Sequence, residues 1–336
     1  MSSPHPGNYA DRSLAIHSQN LFESHSPRMS ILLNNHGYDN KSWQSELLRQ
    51  LPTETVHNFG DQFDPNDITY ALIWNHPPGD LNRYPNLRAV FLLGAGTEHL
   101  AADPMLPDVP VVILADPAVA RDMAGHALYW VLERHRHYYT YREQQTARHW
   151  ERRSIVSTGH FKVGVLGLGR IGATVAQRIH DSGYAVTGWD AFPIRIAGID
   201  ARHGPAQFCN FLSEPEIIIN CLPLTDTTRH MLDAGAFAAM GPGTFFVNIS
   251  RGAVVDDAAL LEALNSGHLS GAALDAFSLE PLPDNSPFWT HPLVHVTPHM
   301  AGATFAASAV SVIVENISKL NRGEVVQPLF ERHKAG

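Results

Sequence analysis

Val163-Gly164-Val165-Leu166-Gly167-Leu168-Gly169-Arg170-Ile171-Gly172 joins a short apolar run to three glycines spaced G-x-G-x-x-G. The first glycine permits a tight turn, the second lets backbone approach a pyrophosphate, and the third lets the following helix pack closely on its strand. The spacing alone is a weak signal. Its context strengthens it: Phe161 to Leu166 predicts a strand before the glycines, and Ala173 to Asp181 predicts a helix after them. A second apolar run, Tyr184 to Asp190, ends in a carboxylate placed to accept hydrogen bonds from an adenosine ribose. The segment reads as a βαβ unit for a dinucleotide, with Gly167, Gly169, Arg170, Ile171, Gly172 and Asp190 at the cofactor.

The fingerprint lies midway along a chain of 336 residues, so the first half must form something else. That length suggests two domains. The chain is 44% hydrophobic and 17% charged, an ordinary globular composition, and its formal charge of -9 argues against a nucleic-acid surface. Cys209 and Cys221 are too few for a disulfide scaffold and are spaced wrongly for a CxxC pair, which fits a reducing cytoplasm. No apolar run reaches membrane-spanning length, and residues 1–28, polar and without a signal-peptide pattern, read as a loose extension before Met29. Twenty histidines are many. Pairs such as His135 and His137 nevertheless face different directions on a helix and read as solvated surface, and no metal is expected.

In the first half, β-rich runs at Ile31 to Asn34, Ala71 to Trp74, Ala89 to Leu93 and Val111 to Leu114 alternate with helical stretches such as Trp43 to Leu51. This alternation implies a parallel sheet covered by helices. One long helix is expected from Ala118 to about Ala147, crossing between the domains. Later β-rich runs at Glu216 to Leu222, Thr244 to Ile249, Ala272 to Ala276 and Val294 to Val296 extend a doubly wound sheet. A final helix is expected from Gly302 to Leu320, with Val310, Ile313, Val314, Ile317 and Leu320 as its apolar stripe.

Ligands of doubly wound sheets bind outside the carboxyl ends of the strands, so polar residues there are the candidates for chemistry. The strand Thr244 to Ile249 ends in Ser250-Arg251-Gly252, the strand Ala272 to Ala276 is followed by Glu280-Pro281, and the strand Val294 to Val296 ends in Thr297-Pro298-His299. Each residue alone has a bland reading as surface cation, loop acid or satisfied histidine. Together, beside a dinucleotide, they suit hydride transfer to a 2-oxo acid. Arg251 can grip a carboxylate and a carbonyl oxygen with its fork of donors. His299 can exchange a proton near neutrality. Glu280, bonded to the other ring nitrogen, would orient the imidazole and favour its charged form.

These segments resemble the D-isomer-specific 2-hydroxyacid dehydrogenases, and most of all the glyoxylate/hydroxypyruvate reductases of that family. Val247-Asn248-Ile249-Ser250-Arg251-Gly252 resembles the arginine strand, Leu274-Asp275-Ala276-Phe277 with Glu280-Pro281-Leu282-Pro283 the glutamate segment, and Thr297-Pro298-His299-Met300-Ala301-Gly302 the histidine loop. The resemblance spans roughly residues 70 to 325. It implies an α/β fold of two Rossmann-like doubly wound domains: a flavodoxin-like substrate domain, 29–117 with 303–336, and an inserted NAD-binding domain, 118–302. It further implies that the amides of Ala95 and Gly96 hold the substrate carboxylate with Arg251, and that Met123 meets the nicotinamide. Cys221, Leu222, Pro223 and Thr228 would pass under the cofactor, Asp275 would bond its carboxamide, and Ile249, Ser250, Ala301 and Gly302 would lie on the cofactor side. A homodimer is implied as well.

The expected activity is reduction of small 2-oxo acids, glyoxylate or hydroxypyruvate first, to D-2-hydroxy acids. NAD is favoured over NADP because Asp190 would repel a 2'-phosphate, although Arg195 lies nearby. Trp43, Trp74 and Trp289 either line the substrate pocket or pack as ordinary core. Two alternatives share the fold: a formate or phosphite dehydrogenase, against which Glu280 counts, and a nucleotide-sensing corepressor-like binding protein.

Overall fold

The computed structural model describes residues 29–35, 40–101 and 103–330; the expected extension 1–28 and the final residues 331–336 lie outside the described residues. Two parallel sheets organise the chain. The first contains β1 (Ser30–Asn35), β2 (Thr55–Asn58), β3 (Ile68–Trp74), β4 (Ala89–Leu92) and β5 (Val111–Val112), in the order β2-β1-β3-β4-β5. The second contains β6 (Lys162–Leu166), β7 (Ala185–Asp190), β8 (Asp200–His203), β9 (Ile217–Asn220), β10 (Phe245–Asn248), β11 (Gly271–Leu274) and β12 (Val294–Val296), in the order β12-β11-β10-β9-β6-β7-β8. Each order reverses its direction once, between β1 and β3 and between β6 and β9. These are the switch points of doubly wound α/β sheets, where ligands bind beyond the carboxyl ends.

Helices cover both faces: α1 (Lys41–Gln50), α2 (Glu98–Ala101), α3 (Pro117–His135), α4 (Tyr138–Ala147), α5 (Arg170–Asp181), α6 (Pro205–Leu212), α7 (Ala234–Ala239), α8 (Asp257–Asn265) and α9 (Ala306–Asn321). Strand side chains alternate between the faces. In the second sheet Ile217, Ile219, Phe245 and Val247 pack against α3 and α5, whereas Ile218 and Phe246 pack with Phe211, Phe237 and Leu260 from α6, α7 and α8. In the first sheet Ile31, Leu33, Tyr70 and Leu72 meet Leu47 of α1 and Val310, Ile313 and Ile317 of α9, so the last helix returns to the first sheet. The tail follows it: Ile113 N donates to Pro328 O at 2.9 Å and Phe330 N donates to Val111 O at 2.8 Å, closing the β5 edge.

Several boundaries differ from the sequence expectation. The single helix Ala118 to Ala147 is two helices, broken where His137 takes φ +57. Across the break, Arg142 Nη2 donates to Glu133 Oε1 at 3.0 Å, although nine residues of continuous helix would separate the two by about 13 Å. Strands β2 and β8 escape periodicity because they are short, polar and at sheet edges. The final helix starts at Ala306 rather than Gly302.

Asp116 ties the two crossings between the sheets together. Its Oδ1 accepts from Ala118 N at 2.8 Å to cap α3, and its Oδ2 accepts from Ser308 Oγ of α9 at 2.6 Å. Asp116→Ala is expected to lower stability by about 1–2 kcal/mol, the usual loss on removing a helix cap, measured by urea denaturation.

Candidate active site

At the end of β6, Gly167 adopts φ +82, and its N–H donates to Trp189 O at 2.8 Å. A Cβ on Gly167 would meet Cys221 C and Leu222 N at 2.9 Å, and one on Gly172 would lie 1.7 Å from Gly167 O. The loop is therefore pinned between its own helix and the end of β9. A Cβ on Gly169 meets nothing within 4 Å, which leaves open space beside the N-terminus of α5. Amides at a helix N-terminus below such a space suit a pyrophosphate.

Asp190 closes β7 beside this loop. Its Oδ2 accepts from Leu168 N at 2.8 Å and its Oδ1 from Phe192 N at 3.2 Å. The half-buried carboxylate thus shapes the glycine turn. Burial pushes the Cys221 thiol up to about 12, so it stays protonated and inert. Thr228 Oγ1 donates to Pro223 O at 2.6 Å and holds the Cys221 to Thr228 loop together.

The arginine turn rests on two buried asparagines that the sequence reading missed. Asn220 Nδ2 donates to Asn248 Oδ1 at 3.0 Å, Asn248 Nδ2 donates to Arg251 O at 3.2 Å, and Ser250 N donates to Asn248 Oδ1 at 3.2 Å. Their signal was present: each is the polar last residue of an otherwise apolar strand. Ser250 Oγ donates to Leu222 O, joining this turn to the loop after β9. A Cβ on Gly252 would lie 1.8 Å from Phe277 C, so the arginine turn presses directly on the backbone of the glutamate segment.

Glu280 and His299 meet. Glu280 Oε2 lies 2.7 Å from His299 Nδ1, and Glu280 Oε1 accepts from Phe277 N at 2.9 Å. The hydrogen bond to Glu280 raises the His299 pKa against the opposing effect of burial, and nearby Arg251 opposes it as well. Burial pushes the Glu280 carboxyl up, but hydrogen bonds from His299 and Phe277 outweigh it and leave the pKa lowered. The pair thus favours imidazolium beside carboxylate.

The remaining expected residues fall around this centre. Met123 is buried against Gly302, where a Cβ would meet its Cγ at 2.5 Å; Ile249 and Ala301 are buried beside them. Ala95 lines a narrow cleft with Leu114, Asp116, Val119, Ala120, Arg170 and Ile171, and so faces the start of α5; Gly96 beside it is buried. Both Asp275 oxygens bond to the histidine loop. The tryptophans part company. Trp43 is core, packed with Leu47 in the layer under α1 and α9, so it lines no pocket. Trp74 supports the Gly94 turn, where a Cβ would meet its ring at 2.6 Å, and Trp289 donates to Pro283 O at 3.0 Å. Among the described residues no cluster of three or more histidine, cysteine or acidic side chains could hold a metal, and no helix is long and apolar enough to cross a membrane.

A family model, described as the NAD binding domain of D-isomer specific 2-hydroxyacid dehydrogenases, matches residues 128–301. The chain belongs to this family. Glyoxylate/hydroxypyruvate reductase A of Photorhabdus laumondii is 35% identical over 303 residues, covering 88% of this dehydrogenase and 96% of that protein. The protein of the same name from Klebsiella pneumoniae strain 342 is 35% identical over 314 residues, 91% of this chain and 99% of its own. A D-isomer specific 2-hydroxyacid dehydrogenase from Xanthobacter autotrophicus Py2, solved with NADPH and MES, superposes with TM-score 0.87 at 38% identity over 90% of this chain and 98% of that one. An NADPH-dependent glyoxylate/hydroxypyruvate reductase from Sinorhizobium meliloti, solved with NADP and sulfate, gives 0.85 at 28% identity over the same shares. The dehydrogenase is an oxidoreductase acting on CH–OH groups, of the glyoxylate/hydroxypyruvate reductase-like branch.

The glycine loop separates folding from binding. Gly169→Ala is expected to keep the thermal midpoint within about 2 °C while weakening dinucleotide binding about tenfold or more. Gly172→Ala, which sets a methyl group against Gly167 O, is expected to lower the midpoint itself. Thermal unfolding and nucleotide fluorescence titration of both variants check this.

Proposed function

We propose that this dehydrogenase reduces small 2-oxo acids, glyoxylate and hydroxypyruvate first, to D-2-hydroxy acids with NADH, using His299 as general acid. The observation that carries the reading is the 2.7 Å bond between Glu280 and His299 Nδ1, which leaves Nε2 as the nitrogen that gives its proton to the substrate oxygen. The curated relatives' names support the substrate class. In this reading residues 29–117 with 303–336 form the substrate side and 118–302 the nucleotide side. The enzyme works as a homodimer, as the resemblance implies, and in a reducing cytoplasm, which the sparse cysteines Cys209 and Cys221 suit.

The residues divide the work. The amides of Ala95 and Gly96 hold the substrate carboxylate, as an anion nest does. Arg251 grips that carboxylate together with the carbonyl oxygen and polarises the carbonyl. Glu280 orients the imidazole and keeps it charged. The glycine loop fits a dinucleotide, because the space at Gly169 stays open while Gly167 and Gly172 are packed shut; the bound nicotinamide supplies the hydride.

Incubation of the purified protein with NADH and glyoxylate, followed by loss of nicotinamide absorbance, tests the activity; no turnover with any 2-oxo acid despite nucleotide binding overturns the reading. His299→Ala is expected to lower kcat by about 10² to 10⁴ with nucleotide binding retained. Reduction needs imidazolium, so it holds below the raised His299 pKa and fades as pH rises through it. Glu280→Gln removes the largest cause of that rise and is expected to move the alkaline limb of the kcat profile toward acid.

The preference for NADH rests on Asp190, whose charge would face a 2'-phosphate, with Arg195 as the nearby basic residue. We expect the KM for NADPH to exceed that for NADH by about tenfold or more, a modest consequence of two like charges near a protein surface. Asp190→Ala is expected to narrow the gap. A lower KM for NADPH in the native enzyme would reverse the assignment.

A further inference from the structure

Asp275 is 2% exposed, and both of its carboxyl oxygens accept from a single segment. Its Oδ1 accepts from Thr297 Oγ1 at 2.6 Å and from Met300 N at 2.9 Å, and its Oδ2 accepts from Ala301 N at 2.8 Å. His299 lies between these anchors and makes no bond to Asp275. Its backbone takes φ +50, a left-handed conformation that residues with a Cβ hold only when the surroundings over-determine it. His299 N donates to Thr297 O at 3.0 Å, tightening the turn further. The run from Thr297 to Ala301 therefore wraps a buried carboxyl and holds His299 where its side chain meets Glu280.

We propose that Asp275 is a positioning residue: by clamping Thr297, Met300 and Ala301 it holds His299 in its left-handed conformation with Nδ1 against Glu280. This rests on the reading of His299 as proton donor, and it differs from the carboxamide contact that the family resemblance implies. The physical argument is one of satisfaction. Without its acceptor, the clamp leaves the buried Ala301 amide unpaired and the part-buried Met300 amide and Thr297 hydroxyl without their partner, and the folded loop bears that desolvation cost. The turn then relaxes, and the simplest relaxation returns His299 to negative φ and swings Nδ1 off Glu280.

The charged and titratable groups facing this centre are Glu280 from the glutamate segment, Arg251 from the arginine turn, Asp275 beneath the loop, and His126 from α3. His126 does not compete as the titrating imidazole: burial lowers its pKa, against the charge of Asp275, and its Nε2 accepts from Trp130 Nε1 at 3.0 Å.

Thr297→Val removes one arm of the clamp and keeps the charge of Asp275, so it separates geometry from electrostatics. We expect kcat for 2-oxo acid reduction to fall about tenfold, in line with loss of one hydrogen bond to a charged acceptor. The alkaline limb of the profile should move toward acid, while the KM for reduced nucleotide stays within about twofold. Thr297→Ser should restore native behaviour, and Asp275→Asn should change kcat and profile in the same direction as Thr297→Val and further. The second readout needs no turnover: the His299 imidazole resonance, identified by its absence in His299→Ala, should titrate at lower pH in Thr297→Val than in the native protein. Should Asp275→Asn fail to fold, Thr297→Val decides alone. A native His299 titration and kcat profile in Thr297→Val overturn the clamp, as does an effect confined to the KM for nucleotide. If His299→Ala keeps native turnover, the proton-donor reading falls, and the imidazole titration in Thr297→Val still decides whether Asp275 positions the ring.

Discussion

The geometry of this molecule depends on glycines that let backbone lie directly on backbone. Gly172 rests on the carbonyl of Gly167, and Gly252 rests on the peptide joining Phe277 to Ser278. Protein interiors are packed too densely to absorb a methyl group at such contacts without moving the chain. The first contact closes the nucleotide loop on its own helix, while Gly167, set on the backbone of Cys221 and Leu222, pins that loop to the end of β9. The second fixes the arginine turn against the segment that presents Glu280. Parallel strands bring all of these segments to one rim, and the glycines set the spacing along it.

Charge at that rim is governed by which polar groups have partners. Burial lowers the pKa of His126 and His295, and the same burial acts on His299, yet its bond to Glu280 prevails and raises it. Three half-buried imidazoles near the second sheet thus have different fates. The one with a carboxylate on its ring nitrogen has its charged form favoured. Cys221, with no charged partner and a raised pKa, contributes shape to the nucleotide loop and no reactivity.

The central strands, the glycine loop and the residues at strand ends were legible because their causes are local. An apolar run in a sheet covered on both faces announces itself, as in Ile217, Ile218 and Ile219 of β9, and glycines at fixed offsets announce a turn. What escaped depends on groups distant in sequence. Edge strands β2 and β8 carry polar residues because little covers them. The break between α3 and α4 is held by Glu133 and Arg142, and its left-handed residue is a histidine rather than a glycine. Asn220 and Asn248 looked like ordinary strand ends until their side chains were seen to bond each other. Trp43 looked available for a pocket, and the layer that buries it includes residues of α9, more than two hundred residues further along the chain. Asp275 was singled out, but its three donors come from a strand end that no periodicity links to it.

The return of α9 to the first sheet has a consequence for synthesis. A ribosome delivers β1 to β5 early, yet one apolar face of that sheet has only α1 over part of it until Val310, Ile313 and Ile317 emerge, and the β5 edge stays open until Pro328 and Phe330 arrive. Strands β6 to β12, by contrast, are complete before α9 begins. The middle of the chain is therefore equipped to fold first, and the nascent N-terminal half must wait with exposed apolar surface and a free strand edge, the condition in which chains depend most on chaperones.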